Sequence, residues 1–294
     1  MWQIIGAGAI GCLWAANLMR IKEKVHLVTR KPSETLTLNY YDLSQQQLSF
    51  PISVSCHLID TPSNLLICVK ATQVLEVIKT HLHCIRAQQP IILMHNGMGC
   101  AEQVQKLLPE NPIICATTAN ASLLISTMNI KQTGHGATYL GPFNAQALPH
   151  KNLATSLNSA MDNTSWSDDI NHKLWLKLLI NSAINPLTAI HNIQNGQLQG
   201  DVYQLQIDDV ISEAILVAKA EQVLFEFKEL RQIVNQVIQA TAQNYSSMNR
   251  DIHHQRSTEN DFIAGYLLKK ASQHQIETPV ISGLYNKIKA LENH

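Results

Sequence analysis

The sequence predicts an α/β N-terminal domain built on a parallel sheet, followed by an all-helical C-terminal domain. Through the first half, short apolar runs alternate with helix-period segments, the pattern of strands joined by crossover helices. A glycine-patterned turn, Gly6-Ala7-Gly8-Ala9-Ile10-Gly11, divides the first run from the first helical segment. Beyond about Asn163 the strand-like alternation gives way to one long helical pattern after another. The expected domains are therefore 1–163 and 164–294, and a chain of 294 residues suits two cores better than one.

In chain order, Met1 to Ile5 reads as a strand, Ile10 to Arg20 as a helix and Lys24 to Thr29 as a second strand. Lys31 to Pro62 is polar and turn-rich, with room for short antiparallel strands, and its stretch from Tyr40 to Pro51 suggests no role. Leu65 to Val69, Ile91 to Met94 and Ile113 to Thr117 continue the sheet, with a helix over Thr72 to Cys84. In the second half, Lys173 to Ala189, Tyr203 to Gln222, Leu230 to Tyr245, Glu259 to His274 and Pro279 to Leu291 carry helical period.

Composition narrows the function. With 22 Lys plus Arg against 22 Asp plus Glu, no overall basic field exists to attract nucleic acid or an anionic membrane. No apolar run approaches the roughly 20 residues of a membrane span, and the first strand begins at Met1 with no signal peptide before it, so a cytoplasmic protein is expected. The six cysteines, Cys12, Cys56, Cys68, Cys84, Cys100 and Cys115, form no CxxC pair and read as reduced thiols. His81/His83 and His253/His254 lack the spacing and third ligand of a metal site, so none is expected.

The glycine turn carries the first chemical signal. Following a strand and opening a helix, Gly6 permits the tight turn, Gly8 admits a pyrophosphate to the backbone, and Gly11 lets helix and strand pack closely, with Ala7, Ala9 and Ile10 between them. The N–H groups at the helix start then hold the phosphates, which makes this a Rossmann-type dinucleotide site. The second strand ends in Val28-Thr29-Arg30-Lys31, with no acid before Glu34, so a 2′-phosphate is better served than a ribose hydroxyl and NADP(H) is favoured. Lys70 and Asn96 directly follow apolar runs, where ligands meet the carboxyl ends of parallel strands, although Asn96-Gly97 also suits a turn.

The segment from Leu174 to Pro186 is apolar nearly all round, yet Lys177, Asn181 and Asn185 recur every four residues. Four residues advance a helix by about 400°, so the three share a stripe about 80° wide. Burying a lysine beside two amides is costly unless they are paired, either in a structural network or with a substrate oxygen. A lysine whose pKa falls on burial suits proton donation. Asn244 to Met248 places hydroxyls at a helix end, where capping is the usual cause, and Thr258 to Asp261 has capping-box spacing with Glu259 in the first turn of the helix.

These residues carry a resemblance. GAGAIG at 6–11, VK at 69–70, HNGMG at 95–99, LWLKLLINSAINPLTAI at 174–190, QNG at 194–196, SSM at 246–248 and STENDF at 257–262 together resemble the ketopantoate reductase family. The resemblance implies NADPH-dependent reduction of 2-dehydropantoate to pantoate, on the way to pantothenate and coenzyme A, by an oxidoreductase acting on CH–OH groups. It implies catalytic roles for Lys177 and Glu259, with Glu259 also contacting the cofactor near the nicotinamide. Asn96 is implied to meet both cofactor and substrate, and Asn181, Asn185, Asn195 and Ser247 the substrate. Arg30, Lys70 and, in a looser register, Ala121 are implied to contact the cofactor. The expected partners are a small ketoacid and no macromolecule beyond a second copy, the chain being monomer or homodimer. Two other readings stay open: a reductase of a different 2-keto acid, and a non-catalytic NADP(H) sensor.

Overall fold

A computed structural model describes residues 1–30 and 35–292, so Lys31 lies outside the described residues. The chain packs as two compact units, one comprising Met1–His95 with Cys100–Asn171, the other Asn96–Gly99 with His172–His294.

In the first unit, β1 (Trp2–Ile5) leads into α1 (Ala9–Arg20) and β2 (Val25–Val28), then the antiparallel pair β3 (Leu36–Tyr41) and β4 (Gln47–Ser55). β5 (Asn64–Ile67), α2 (Ala71–His81), β6 (Ile91–Met94), α3 (Cys100–Leu107) and β7 (Ile113–Thr118) follow. The unit ends with β8 (Ala121–Ser126), β9 (Asn129–Gly134), β10 (Thr138–Pro142), α4 (Asn152–Ala160) and β11 (Thr164–Trp166). The described strands form one eleven-stranded sheet whose middle runs β7-β6-β5-β1-β2-β4, all parallel. β1 is thus flanked by β2, the next strand along the chain, and by β5, which follows the excursion beyond it. That reversal is the switch point of a Rossmann-type sheet. Every residue of β1, β2 and β6 is buried, since helices cover both faces of a parallel sheet; β6 is apolar throughout, while β1 and β2 are apolar except for Gln3 and His26, whose buried side chains are hydrogen-bonded.

The polar stretch from Tyr40 to Pro51 lies in the β3–β4 hairpin. Its burial alternates, because only one face meets the core, and the buried Tyr40 hydroxyl donates to Gln132 of β9 at 2.5 Å. The sheet also takes one more strand, β11, past residue 163 where the sequence pattern changes, and the first unit runs on to Asn171.

The second unit contains most of α5 (Ile170–His191), together with α6 (Asp201–Ala220), α7 (Phe227–Ala240), α8 (Ser247–His253), α9 (Ala264–Gln273) and α10 (Pro279–Glu292). Its core gathers Trp175, Leu179, Ile211, Val234, Leu267 and Ile288 from five of these helices. The pattern over Leu230 to Tyr245 ends early: α7 stops at Ala240, where Thr241 donates its hydroxyl to the Val237 carbonyl at 2.6 Å, and the chain turns into α8. The expected helix from Glu259 to His274 is also broken. Residues Asn260–Phe262 form a 3₁₀ turn and Ile263, at φ −104° and ψ −89°, leaves helical geometry before α9 begins.

Candidate functional site

In the first unit, the glycine turn sits at the switch point. Gly6 has φ +113°, and a Cβ there would lie 2.8 Å from the Cys68 carbonyl oxygen, so both conformation and packing require glycine. A Cβ on Gly11 would fall 1.9 Å from the Gly6 oxygen, which fixes helix against turn. A Cβ on Gly8 would meet nothing within 4 Å, so the turn is open where a pyrophosphate would approach. Gly8 is the N-cap of α1, no side chain caps that helix, and its first turn holds no acid, leaving the positive end to an anion. The residues present therefore fit a dinucleotide.

Two cations belong to the same unit. Arg30 is exposed just beyond the end of β2. Lys70, half-buried, is the N-cap of α2 and follows Cys68 and Val69, whose atoms line Gly6. Ala121 opens β8 opposite Gly134, at a register shift. Burial pushes the thiols of Cys12 and Cys115 up to about 12, and that of Cys68 higher still, so these cysteines are inert neutral groups. Among the described residues no cluster of metal-binding side chains occurs and no helix is long and apolar enough to cross a membrane.

In the second unit, the stripe of α5 lies as its spacing requires. Lys177 is only partly exposed, and burial lowers its ammonium from 10.5 to about 8 although the Glu259 carboxylate works to raise it. Among the described residues, the side-chain amides of Asn181 and Asn185 have no hydrogen-bond partner, and Asn185 is only 7% exposed. Thr188 extends the stripe by a further turn: its hydroxyl lies 3.0 Å from the Asn185 carbonyl and 2.7 Å from the Ser246 oxygen.

Glu259 is buried, 8% exposed, and its Oε2 accepts a hydrogen bond from the Asn96 amide at 2.9 Å. Asn96 reaches it because the HNGMG loop folds onto the segment after Glu259. The Met98 N–H donates to the Phe262 carbonyl at 2.9 Å, and a Cβ on Gly97 would lie 2.4 Å from that same oxygen. Gly97 and Gly99 have φ +78° and +101°, and the Gly99 backbone lies against the Tyr266 ring. The turn that Asn96-Gly97 suggests is present, and it serves to bring Asn96 to the carboxylate.

The capping box expected over Thr258 to Asp261 is not formed. Glu259 itself is the N-cap of the 3₁₀ turn and makes no side-chain cap, while the Thr258 hydroxyl is taken by Glu292. At the other end, Ser246 rather than Ser247 caps α8, accepting from the Asn249 N–H at 3.1 Å, and Ser247 is exposed at the first helical position. Asn195 is buried, donates to the Thr241 hydroxyl at 2.8 Å and keeps its Oδ1 without a partner among the described residues. The sequence reading missed Thr188, because the four-residue spacing of the stripe leads from Asn185 to Ala189, and Glu292, for which no local signal exists.

This architecture is that of the Rossmann-type oxidoreductases with a helical second unit. The chain matches, over 100% of its own length and 99% of the other, D-mandelate dehydrogenase solved with NADH and anilino(oxo)acetate, at a TM-score of 0.90 and 21% identity. A probable 2-dehydropantoate 2-reductase from Bacillus subtilis matches at a TM-score of 0.83 and 28% identity, covering 99% of both chains. Sequence selects among such proteins. Residues 2–145 match the family described as ketopantoate reductase PanE/ApbA, and residues 169–292 its C-terminal part. The 2-dehydropantoate 2-reductase of Vibrio cholerae is 40% identical over 292 residues, spanning 98% of this chain and 97% of the relative. That of Escherichia coli O157:H7 is 32% identical over 291 residues, spanning 99% and 94%. The chain belongs to the ketopantoate reductase family.

Proposed function

We propose that the protein reduces 2-dehydropantoate to (R)-pantoate with NADPH, a step of pantothenate and coenzyme A synthesis. The observation that carries this reading is the stripe of α5, where two amides without partners among the described residues follow, one and two turns on, a lysine held at about 8. Such a stripe is costly as structure and fitting for a ketoacid, whose carboxylate, keto oxygen and hydroxyl satisfy those groups.

NADPH, when bound, supplies the hydride for C2 of the ketoacid. The chain's own residues do the rest. The N–H groups of the Gly6–Gly11 turn hold the pyrophosphate, Arg30 pairs with the 2′-phosphate, and Lys70 and Ala121 add contacts to the cofactor. Asn181, Asn185, Asn195 and Ser247 orient the substrate, and Asn96 meets both ligands. Lys177 donates a hydrogen bond to the keto oxygen, stabilises the charge that develops there and transfers its proton to it. Glu259 opposes the loss of charge on Lys177 and holds the Asn96 amide. A proton from solvent then restores the ammonium.

The fold alone does not choose the substrate, since a mandelate dehydrogenase shares it. The deciding experiment follows NADPH absorbance with and without 2-dehydropantoate, beside a panel of other 2-keto acids and NADH. Rapid oxidation with 2-dehydropantoate above all others is expected. Cofactor binding without ketoacid-dependent oxidation would instead make the protein a sensor.

A further inference from the structure

One nearly buried carboxylate has no part in the scheme above. Glu292, at the end of α10, exposes a tenth of its side chain, and its Oε1 accepts two hydrogen bonds from Thr258, from the N–H at 2.7 Å and from the hydroxyl at 2.6 Å. The Thr258 oxygen in turn accepts from the Asn260 N–H at 3.0 Å, and the Asn260 amide donates to the Tyr285 carbonyl of α10 at 3.1 Å. The residues on both sides of Glu259 are thus fastened to one helix. The charged neighbours of this contact are Lys289, 2.9 Å from Glu292 Oε2, and Asp261, which meets Lys289 at 3.4 Å and accepts from the Tyr285 hydroxyl at 2.7 Å. Burial acts to raise the Glu292 carboxyl, but the Thr258 and Lys289 contacts outweigh it and hold the group below the ordinary carboxylate range, so it stays an anionic acceptor at working pH.

We propose that Glu292 is a positioning residue for the reaction: its grip on Thr258 fixes the backbone of Glu259, so that the Glu259 carboxylate meets Asn96 and acts on Lys177. This rests on the roles given above to Lys177 and Glu259. A carboxylate on a loosened loop spends less time near the ammonium, and Lys177 then loses the influence that raises it.

The test compares full-length Glu292→Ala, Glu292→Gln and Glu259→Gln with wild type, reading the pH dependence of kcat/KM for 2-dehydropantoate, NADPH affinity and Tm. Glu259→Gln should move the alkaline limb to lower pH, and an unmoved limb there means that the underlying reading fails. Glu292→Ala should move the limb in the same direction, by about half a pH unit or more, so that kcat/KM is nearly unchanged at pH 7 but down about twofold at pH 8 and about threefold at pH 9, with NADPH affinity unchanged. Glu292→Gln keeps an oxygen for both Thr258 donors and should restore the wild-type limb. If Glu259→Gln moves the limb and Glu292→Ala only lowers Tm and activity equally at every pH, Glu292 is purely structural and the inference is overturned. Should Glu292→Ala fail to fold, Thr258→Val removes the hydroxyl but keeps the N–H, and the same limb decides in the same way.

Discussion

Reduction by this protein should slow steeply above pH 8. The perturbation is pH itself, acting on Lys177. Burial lowers that ammonium to about 8, against 10.5 for an ordinary lysine, and only the charged form can give a proton to the forming alkoxide. With that value the donating fraction is about nine-tenths at pH 7, about one-half at pH 8 and about one-tenth at pH 9. Between pH 7 and 9 the rate should therefore fall roughly tenfold, and about tenfold per pH unit beyond. A lysine left at 10.5 would lose only a few per cent, about 3%, over the same interval. The matching quantity is kcat/KM for the ketoacid at saturating NADPH, which reports groups that ionise before the ketoacid binds, from initial rates at pH 6 to 10 and constant ionic strength. NADPH affinity measured at each pH separates cofactor binding from chemistry. A profile flat to pH 9.5, or the same falling limb in a Lys177→Met protein's residual activity, would refute the assignment of the proton donor.

Lys177→Met itself should keep its fold and NADPH affinity, seen by circular dichroism and fluorescence titration, while kcat falls roughly 10²–10⁴-fold, and Lys177→Arg should not restore it because a guanidinium hardly deprotonates. Arg30→Ala should weaken NADPH by about 1.5–3 kcal/mol and leave NADH nearly unchanged, read by parallel titrations; equal losses for both cofactors would place Arg30 away from the 2′-phosphate. Asn181→Ala should lower kcat/KM by about 1–3 kcal/mol with cofactor binding intact, and a parallel loss of NADPH affinity would contradict a substrate contact. Gly97→Ala forces a Cβ to within 2.4 Å of the Phe262 oxygen at φ +78°, so urea denaturation should show a loss of roughly 1–3 kcal/mol or more.

The parts of the fold that could be read in advance are those where burial leaves a periodic trace. β1, β2 and β6 are buried on both faces and spell runs that are apolar but for Gln3 and His26, and α5 stands out by interrupting a nearly all-round apolar surface at four-residue intervals. β9 carries only Ile130 and Gln132 inward, and β8 exposes Leu123, Leu124 and Ile125, so their composition contradicts their position. α3 and α4 have one-sided patterns over 8 and 9 residues, too short to separate from strand or turn. Within the candidate site, the common stripe of Lys177, Asn181 and Asn185 is legible because one helix spaces them. The contact of Asn96 with Glu259 spans 163 residues and that of Thr258 with Glu292 spans 34, and no local rule reaches so far. Ser246 and Ser247 are adjacent hydroxyls, and only the direction of the turn into α8 decides which one caps the helix and which faces solvent.

The loop Asn96–Gly99 is interrupted sequence in the literal sense: four residues of the helical unit are encoded amid the strands of the other. A gene cut at the final crossing, between residues 171 and 172, would therefore yield no intact half. The first fragment would carry Gly97 and Gly99 without the Phe262 and Tyr266 they are shaped against. The second would present the Phe262 carbonyl without the Met98 N–H, and Glu259 without the Asn96 amide. The same holds for chimaeras made between relatives. A helical unit grafted from another member of the family should bring its own four-residue loop with it, so the unit of inheritance for this scaffold is a discontinuous one.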